Sequence, residues 1–416
     1  MNKSISPYKI QGTVKAPASK SYLQRALAIA SLAQGKSVLK NGSFSSDVDA
    51  VIGIIQTLGS KIEFSNNWTI SPGKRNELEN IVLNAGESGL ALRMFSSIAA
   101  LYNGYVEISG SGTLLDRPIT PIIEALNAAG IQVVAKNHKL PLTINGTFQN
   151  NKIAFDSSFS SQILTGLLIA APLLEHDTEI IVSNLVSRPY VEMTIDIMRH
   201  FGAIVKNDHF ERFYIQGNQH YWGCEYDVES DWSAAANFLV TAAVSGSISV
   251  VGLNSNSLQA DRAIMKALAL FGAEIEIQSN SIFVKQHQKK PFVFDATDCP
   301  DLFPPLVVLA AAANGRSVIS GTHRLIHKES NRLETLTHLF SKLGLKMETE
   351  DNNLIIHGSG KLKGALVDSY GDHRLAMCAA VAATLTDLPV EISNTDVVGK
   401  SYPDFFKNLL KQSVPT

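Results

Sequence analysis

The sequence predicts a mixed α/β (α+β) fold of two similar domains, built from six repeats of about 71 residues. Three observations predict it. The chain has 416 residues, more than a single hydrophobic core supports, since cores stop growing at roughly 250–300 residues. A pair made of an apolar residue and a glycine recurs at intervals of 70 to 72 residues. A second type of apolar segment recurs in the same register.

The recurring glycines follow amphipathic helices. In one repeat, Ile264, Ala267, Leu268 and Phe271 share one helical face, and Gly272 stands where a helix typically stops. The equivalent glycines of the five repeats are Gly59, Gly130, Gly202, Gly272 and Gly344. Two short strand-like runs with polar turn residues between them come after each glycine, which predicts a β-hairpin.

A second helix in each repeat is rich in alanine and apolar on nearly all sides, as expected of a buried helix. These segments are residues 26–32, 97–101, 164–174, 234–244, 306–313 and 375–385. Each repeat is therefore predicted as a βαβαββ unit, with three units in each domain.

The sixth repeat stops at its amphipathic helix, residues 404–410, whereas a spare strand-like run, residues 8–14, precedes the first buried helix. We expect this N-terminal strand to pack with the C-terminal half. One domain would then contain residues 1–18 and 229–416, and the other residues 19–228.

Composition excludes several classes of protein. Lys plus Arg (36) nearly balances Asp plus Glu (38), so no diffuse attraction to nucleic acid is expected. The longest apolar runs are shorter than the ~20 residues of a membrane span, and the first residues lack an apolar signal-peptide core. Three separated cysteines without a CxxC pair favour a reducing cytoplasm. No metal motif and no nucleotide-binding glycine motif occurs, so neither metal nor cofactor is predicted.

Charged and polar residues recur at fixed places in the repeat. Short polar residues begin each buried helix, as at Ser88, Ser160 and Asp301; each fits an ordinary N-cap, but helix N-termini also bind anions. Cations begin the amphipathic helices, as at Arg117 and Arg332, although a cation there opposes the helix dipole. The sequence is compatible with a solvated basic rim or with a site for a small polyanionic substrate.

Ten motifs in order resemble those of a known family. They are KSYLQRALAIASL, GESGLALR, LDRPI, SSQ, SRPY, VESDWSAA, PDLFPPL, HKESNRLE, GDHRLAMC and GKSYPDFF. Over essentially the whole chain the sequence is similar to the EPSP synthases, the 3-phosphoshikimate 1-carboxyvinyltransferases of the shikimate pathway to chorismate and aromatic amino acids.

The resemblance implies an inverse α/β barrel architecture of two domains that close on their substrates. It implies transfer of the enolpyruvyl group of phosphoenolpyruvate to the 5-hydroxyl of shikimate 3-phosphate, through a tetrahedral intermediate, with release of phosphate. These two small molecules would be the partners of a monomeric, cytoplasmic enzyme without a cofactor.

The resemblance also implies residue roles, carried over motif by motif. Shikimate 3-phosphate is expected to bind Lys20, Ser21, Arg25, Ser160, Ser161, Gln162, Ser187, Asp301 and Lys328. Phosphoenolpyruvate is expected to bind Lys20, Gly89, Arg117, Gln162, Arg332, Arg374 and Lys400. Asp301 is assigned as the catalytic base, and Glu329, Lys20 and Lys400 are the candidates for proton delivery.

Three departures from the family pattern stand out. Glu87 to Leu90 replace an Asn-Ala-Gly-Thr type of run, Arg324 replaces a common Asn, and Tyr22 to Gln24 replace a smaller polar run.

Three alternative functions predict other sequence features. The sister enzyme that acts on UDP-N-acetylglucosamine usually has a cysteine where this chain has Gly112. A non-catalytic scaffold would be expected to lack some of the charged positions. An RNA-processing relative would be expected to carry a basic face.

Overall fold

The computed structural model describes residues 1–74, 80–102 and 104–415. The chain forms two compact units, one of Met1–Pro17 with Glu229–Thr416 and one of Ala18–Val228. No helix in these described ranges is both long and apolar enough to cross a membrane.

Helices of two kinds alternate along the described chain. They are α1 (Lys20–Leu32), α2 (Ser46–Thr57), α3 (Gly89–Ile98), α4 (Thr120–Ala128), α5 (Ser161–Ala170), α6 (Arg188–His200), α7 (Trp232–Val244), α8 (Ile264–Phe271), α9 (Phe303–Ala312), α10 (Arg332–Lys342), α11 (His373–Ala382) and α12 (Phe405–Gln412). The odd-numbered helices are the predicted buried ones, and every residue of α3 and α9 is buried. The even-numbered helices are amphipathic.

One helix prediction was too short. The sequence predicted a buried helix at residues 97–101, whereas α3 begins at Gly89 and residues 99–101 form a 3-10 turn. The charged Arg93 interrupts the apolar pattern of this helix, and it is buried in the structure because its guanidinium has polar partners described below.

The strands are short. They are β1 (Lys3–Ile5), β2 (Tyr8–Lys15), β3 (Ser37–Lys40), β4 (Lys61–Phe64), β5 (Trp68–Ser71), β6 (Ile81–Asn84), β7 (Tyr105–Ser109), β8 (Gln132–Ala135), β9 (Leu142–Asn145), β10 (Lys152–Asp156), β11 (Thr178–Ser183), β12 (Lys206–Asp208), β13 (Arg212–Ile215), β14 (Glu225–Asp227), β15 (Gly246–Val251), β16 (Glu274–Ile277), β17 (Ser281–Lys285), β18 (Val293–Asp295), β19 (Asn314–Ser320), β20 (Lys346–Glu350), β21 (Asn353–Ser359), β22 (Leu366–Asp368), β23 (Val390–Ser393) and β24 (Ser413–Pro415).

One sheet illustrates the repeating unit. Strand β6 leads through α3 to the parallel strand β7, and the chain then passes through α4 into the antiparallel hairpin β8–β9. The resulting strand order, β6-β7-β9-β8, recurs as β10-β11-β13-β12 and β18-β19-β21-β20. In these three units the buried helix is the parallel crossover, so its N-terminus follows the carboxyl end of the first strand.

Two repeats are completed by strands that are distant in sequence. Strand β2 precedes α1 in the chain, yet it lies parallel to β15, in the unit that contains the C-terminal half. Strand β14 precedes α7, yet it lies parallel to β3. In the sixth repeat the residues described after α12 form the single strand β24, which pairs with β2, and β1 pairs with β23.

The recurring glycines are explained by backbone geometry. Gly272, directly after α8, has a φ of 93°, and Gly59, Gly130, Gly202 and Gly344 after the equivalent helices also have positive φ. A residue with a Cβ is strained in this left-handed conformation, so glycine marks the ends of these helices.

Candidate active site

Asp301 lies at the centre of a charged cluster in the unit that contains the C-terminal half. It stands in a 3-10 turn that leads into α9, and it does not cap that helix. Its Oδ1 accepts from Lys328 Nζ at 3.3 Å and from Arg332 Nη1 at 2.9 Å, and its Oδ2 accepts from Arg374 Nη2 at 2.9 Å. Burial alone would raise the pKa of Asp301, but Arg374, Lys328 and Arg332 outweigh it and hold the pKa well below its usual range. Asp301 is therefore an ionised carboxylate at neutral pH.

Arg332 joins three carboxylates. Its side chain is fully buried, and its Nε and Nη2 donate to the two oxygens of Asp372 at 2.8 and 3.3 Å. Nη1 donates to Asp301, and Nη2 also donates to Glu329. A guanidinium has five N–H donors, and these bonds use four of them.

The cation at the start of α10 is thus compensated within the protein. A cation at this place is unfavourable for the helix dipole, and the sequence left open whether solvent or an anionic ligand compensates it. Arg332 instead has Asp372, Asp301 and Glu329 as counter-ions. Asp372 also caps α11, since its Oδ1 accepts from the backbone N–H of Arg374 at 2.9 Å.

Two lysines complete this cluster. Burial lowers the pKa of Lys328, while the neighbouring Asp301 opposes the shift. Lys400 is 8% exposed, and its Nζ donates to the backbone carbonyl of Gly371, the residue before Asp372, at 3.1 Å. Both amines are thereby held beside the carboxylates of the cluster.

Asp261 is a second buried carboxyl in the same unit. It is 2% exposed, accepts a hydrogen bond from Ser233 through Oδ2, and has no hydrogen-bond partner at Oδ1 among the described residues. Burial and the negative charge of Asp301 raise the pKa of Asp261 to about 7, against the opposing effect of Arg374.

Replacing Asp261 by Asn is expected to stabilise the protein at alkaline pH. The pKa of Asp261 is higher in the folded state than the value of about 3.9 for an unfolded chain, so the folded state loses stability as the pH rises from about 4 to about 7. The variant lacks this loss, which is about 4 kcal/mol at pH 8. Its melting temperature should exceed that of the wild type at pH 8, and the difference should shrink towards pH 5.

The exposed Asp387 provides the matched control. Asp387→Asn should leave the difference in melting temperature near zero at both pH values. A pH-independent effect of Asp261→Asn would show that the carboxyl is ionised in the folded state across this range.

In the unit of residues 18–228, hydrogen bonds link the starts of α1, α2 and α3. Lys20 Nζ donates to Asp47 Oδ2 at 2.7 Å, and both side chains are largely buried. Gln24 Nε2 donates to the backbone carbonyl of Asp47 at 2.6 Å and to Ser88 Oγ at 3.0 Å. Ser88 in turn caps α3 by accepting from Ala91 N. Lys20 is therefore held close to the first turn of α3.

Arg25 links α1 to α5 and α6. It is 1% exposed, and its guanidinium donates to Thr194 Oγ1 at 2.9 Å, to the Ser21 carbonyl at 2.8 Å, and to Thr165 and Tyr190 at longer distances. These oxygens are all uncharged. Burial lowers the pKa of Arg25 to about 10, so the cation is retained at neutral pH next to the start of α1.

Two guanidinium groups converge on Gly89 at the start of α3. A Cβ at Gly89 would lie 2.6 Å from Arg93 Nη1 and 2.7 Å from Arg117 Nη1. Arg93 Nη1 also donates to Gln162 Oε1 at 2.8 Å, and its guanidinium lies over the ring of Phe159. A helix N-terminus with two adjacent arginines is suited to bind a phosphate or carboxylate group.

The start of α5 supplies further polar groups. Ser160 caps α5 by accepting from the backbone N–H of Gln162 at 3.2 Å, and Ser161 is 3% exposed. Ser187, at the start of α6, has a φ of 55°. A non-glycine residue in this conformation carries strain, and such residues are concentrated at functional sites.

The structure thus brings the predicted residues together within each unit. Asp301, Lys328, Glu329, Arg332 and Arg374 form one bonded cluster, with Lys400 bonded to Gly371 beside it. Lys20, Gly89, Arg117 and Gln162 surround the start of α3, and Ser21 binds Arg25.

Sequence reasoning missed three residues with direct contacts to predicted site residues. Asp47 binds Lys20, Arg93 binds Gln162, and Asp372 binds Arg332. In the sequence, Arg93 belongs to the GESGLALR motif but has no expected role, and Asp372 is one of the short polar residues at the start of a buried helix, which fit ordinary N-caps. The signal that was available for Arg93 is a charged residue inside an otherwise apolar buried helix. In the described ranges, no group of three His, Cys, Asp or Glu residues is arranged to hold a metal ion.

The chain is similar to known proteins over nearly its whole length. The family model for EPSP synthase (3-phosphoshikimate 1-carboxyvinyltransferase) matches residues 5–409. The 3-phosphoshikimate 1-carboxyvinyltransferase of Clostridium kluyveri is 37% identical over 97% of this chain and 96% of its own length. The enzyme of the same name from Methanococcus maripaludis is 35% identical over 96% of each chain.

Solved structures confirm the predicted fold class. An EPSP synthase from Acinetobacter baumannii superimposes with a TM-score of 0.84, covers 100% of this chain and 98% of its own, and is 24% identical. At that identity the likeness concerns the fold alone. The family model and the curated relatives carry the assignment further, and because both extend over nearly the full length, the chain is a member of the EPSP synthase family.

Proposed function

We propose that this protein transfers the enolpyruvyl group of phosphoenolpyruvate to the 5-hydroxyl of shikimate 3-phosphate. The observation that carries the proposal is the environment of Asp301, a carboxylate kept ionised by Lys328, Arg332 and Arg374. Such a group can take a proton from a hydroxyl while the surrounding cations bind anionic substrates. The two substrates together carry about six negative charges at neutral pH.

In the proposed reaction, the 5-hydroxyl oxygen adds to C2 of phosphoenolpyruvate and its proton passes to Asp301. A proton is delivered to C3 at the same stage, which gives a tetrahedral intermediate. Loss of a C3 proton and of inorganic phosphate then forms the enolpyruvyl ether. Lys20, Glu329 and Lys400 are the proposed groups for proton delivery. Lys20 pairs with Asp47 and Glu329 with Arg332, while Lys400 donates to the backbone carbonyl of Gly371.

We assign the anion site at the start of α3, with Gly89 and Arg117, to phosphoenolpyruvate. Gln162 and Lys20 border the same site, and Arg332, Arg374 and Lys400 complete the set of proposed ligands. The hydroxyls of Ser21, Ser160, Ser161 and Ser187, together with Arg25, Gln162, Lys20, Asp301 and Lys328, are assigned to shikimate 3-phosphate. We also propose that the protein is a monomer located in the cytoplasm. Size-exclusion chromatography tests the monomeric state.

An assay of phosphate release tests the function. Purified protein should release inorganic phosphate only when both shikimate 3-phosphate and phosphoenolpyruvate are present. UDP-N-acetylglucosamine is the control acceptor and should support no release. Gly112 supports this choice: it has a φ of 54°, and a Cβ there would lie 2.3–2.7 Å from the carboxyl atoms of Glu87, so a cysteine would not fit without rearrangement.

Replacing Arg117 by Ala is expected to weaken phosphoenolpyruvate selectively. Loss of a charge-assisted hydrogen-bond donor should raise the KM for phosphoenolpyruvate about 30-fold, while the KM for shikimate 3-phosphate stays within about threefold. Steady-state kinetics with each substrate varied in turn measures both values. Arg199→Ala, at an exposed position, is the matched control, and equal losses for both substrates would refute the assignment of Arg117.

A further inference from the structure

The resemblance leaves the role of Glu87 open. This residue lies two positions before Gly89, so its carboxylate is close to the anion site at the start of α3. Its Oε2 accepts from the backbone N–H of Thr113 at 3.0 Å and from Thr113 Oγ1 at 3.1 Å. The carboxylate is therefore bonded to the 3-10 turn Gly112–Asp116, which directly precedes Arg117.

Glu87 belongs to a ladder of contacts between two segments, residues 85–87 and 109–113. The backbone N–H of Ala85 donates to the Ser109 carbonyl at 2.9 Å, and that of Ser111 donates to the Gly86 carbonyl at 2.7 Å. The two bonds from Thr113 to Glu87 extend this ladder to the turn itself. Gly112 leaves the space that the carboxylate occupies, because any Cβ there would overlap it.

The turn ends at Arg117. The backbone N–H of Arg117 donates to the Leu114 carbonyl at 3.2 Å, and the side chain of Leu114 is fully buried. The backbone of Arg117 is therefore connected to Thr113 through this short turn, and its guanidinium lies beside Gly89. Since Glu87 is connected to Gly89 through the chain and to Thr113 through hydrogen bonds, it links the two halves of the anion site.

We propose that Glu87 is a positioning residue, which holds the Gly112–Asp116 turn so that Arg117 reaches the anion at Gly89. This inference rests on the proposed function, in which that anion is phosphoenolpyruvate. The competing interpretation is that the Glu87 carboxylate faces the ligand directly and repels it. The two interpretations predict opposite effects on phosphoenolpyruvate affinity.

Three variants separate them. Glu87→Ala removes the acceptor for both Thr113 bonds and should raise the KM for phosphoenolpyruvate about tenfold or more, with the KM for shikimate 3-phosphate within twofold and kcat within threefold. Glu87→Gln keeps an acceptor oxygen and should stay within threefold of the wild type. Thr113→Val removes one of the two donors and should show a smaller, equally selective rise.

The double variant Glu87→Ala with Thr113→Val should be no worse than Glu87→Ala, because both changes remove the same contact. Glu124→Ala, at an exposed position on α4, is the matched control. A fall in the KM for phosphoenolpyruvate in both Glu87 variants would establish repulsion and overturn the inference, and an unchanged KM in Glu87→Ala would overturn it as well.

Hydrogen exchange provides a readout that does not depend on turnover. The amide of Thr113 should exchange at least about tenfold faster in Glu87→Ala than in the wild type or in Glu87→Gln. If the wild type releases no phosphate, the proposed function fails. Accelerated exchange at Thr113 in Glu87→Ala would still support the positioning role of Glu87. If phosphate is released and exchange at Thr113 is unchanged in Glu87→Ala, the positioning role of Glu87 is refuted and the proposed function is not.

Discussion

Asn in place of Asp301 is expected to lower kcat by a factor of about 10³, within the range that general base catalysis contributes. An amide cannot take the proton of the attacking hydroxyl at neutral pH. The shape of the side chain and one acceptor oxygen are retained, so Arg332 or Arg374 can still donate to it. The change removes a negative charge from a cluster of cations, and the affinity for shikimate 3-phosphate should stay within about tenfold.

Measuring kcat by phosphate release, together with the dissociation constant of shikimate 3-phosphate by calorimetry, checks both parts of this expectation. Asp298→Asn, at an exposed position three residues earlier, is the matched control. Turnover within tenfold of the wild type would place the base elsewhere, and Glu329 would be the next residue to replace.

The acid limb of the pH profile follows from the same cluster. Because Arg374, Lys328 and Arg332 hold the pKa of Asp301 well below its usual range, the carboxylate remains ionised as the pH falls towards 4. Loss of activity in weakly acidic solution therefore has to come from another group.

The repeat and its helices could be predicted from the sequence because they depend on local rules. Glycine recurs where the backbone turns left-handed after each amphipathic helix, as at Gly59 and Gly344. The alanine-rich segments are buried because they have no polar face. Both signals are contained in a few neighbouring residues, so no knowledge of distant contacts is needed.

The pairing of β14 with β3, a strand from a distant repeat, could not be predicted from the sequence. Nothing in the three residues Glu225–Asp227 marks them as the partner of Ser37–Lys40. Short strands of this kind are placed by the tertiary structure, since pairing depends on contacts with segments that are distant in the chain. The pairing of the N-terminal strand could be predicted, because residues 8–14 are an extra strand-like run and the sixth repeat lacks its own hairpin.

The sequence predicted which residues belong to the candidate site better than it predicted which residues contact each other. Short polar residues at helix starts include true caps, such as Ser88, Ser160 and Asp372. They also include Asp301, which does not cap α9 and instead binds three cations. Spacing alone does not separate these cases, because the outcome depends on which side chains arrive from other repeats. Two of the three counter-ions of Arg332 come from other repeats, Asp372 at the N-cap of α11 and Asp301 in the turn before α9, and their arrangement becomes visible only in the fold.

Replacement of Arg332 by Met is expected to lower the free energy of unfolding of its unit by about 3–5 kcal/mol. Met fills a similar volume but leaves the fully buried Asp372 without its bidentate partner, and Glu329 and Asp301 each lose a donor. An uncompensated buried carboxylate accounts for most of the effect, since the loss of an exposed ion pair costs only about 0–1 kcal/mol. Lys346→Met, which breaks the exposed pair with Glu348, should accordingly have little effect.

A second substitution shows whether the buried charge is the cause. Adding Asp372→Asn to Arg332→Met removes the stranded charge but keeps a side chain that can cap α11, as Asp372 does through the N–H of Arg374. The double variant should therefore recover part of the stability lost in Arg332→Met. Urea unfolding, followed by the fluorescence of the buried Trp232 with Trp68 and Trp222 replaced by Phe, reports on this unit. A loss below about 1 kcal/mol in the single variant would mean that Lys328 and Arg374 suffice to hold the carboxylates, and Arg332 would then be left mainly to bind substrate.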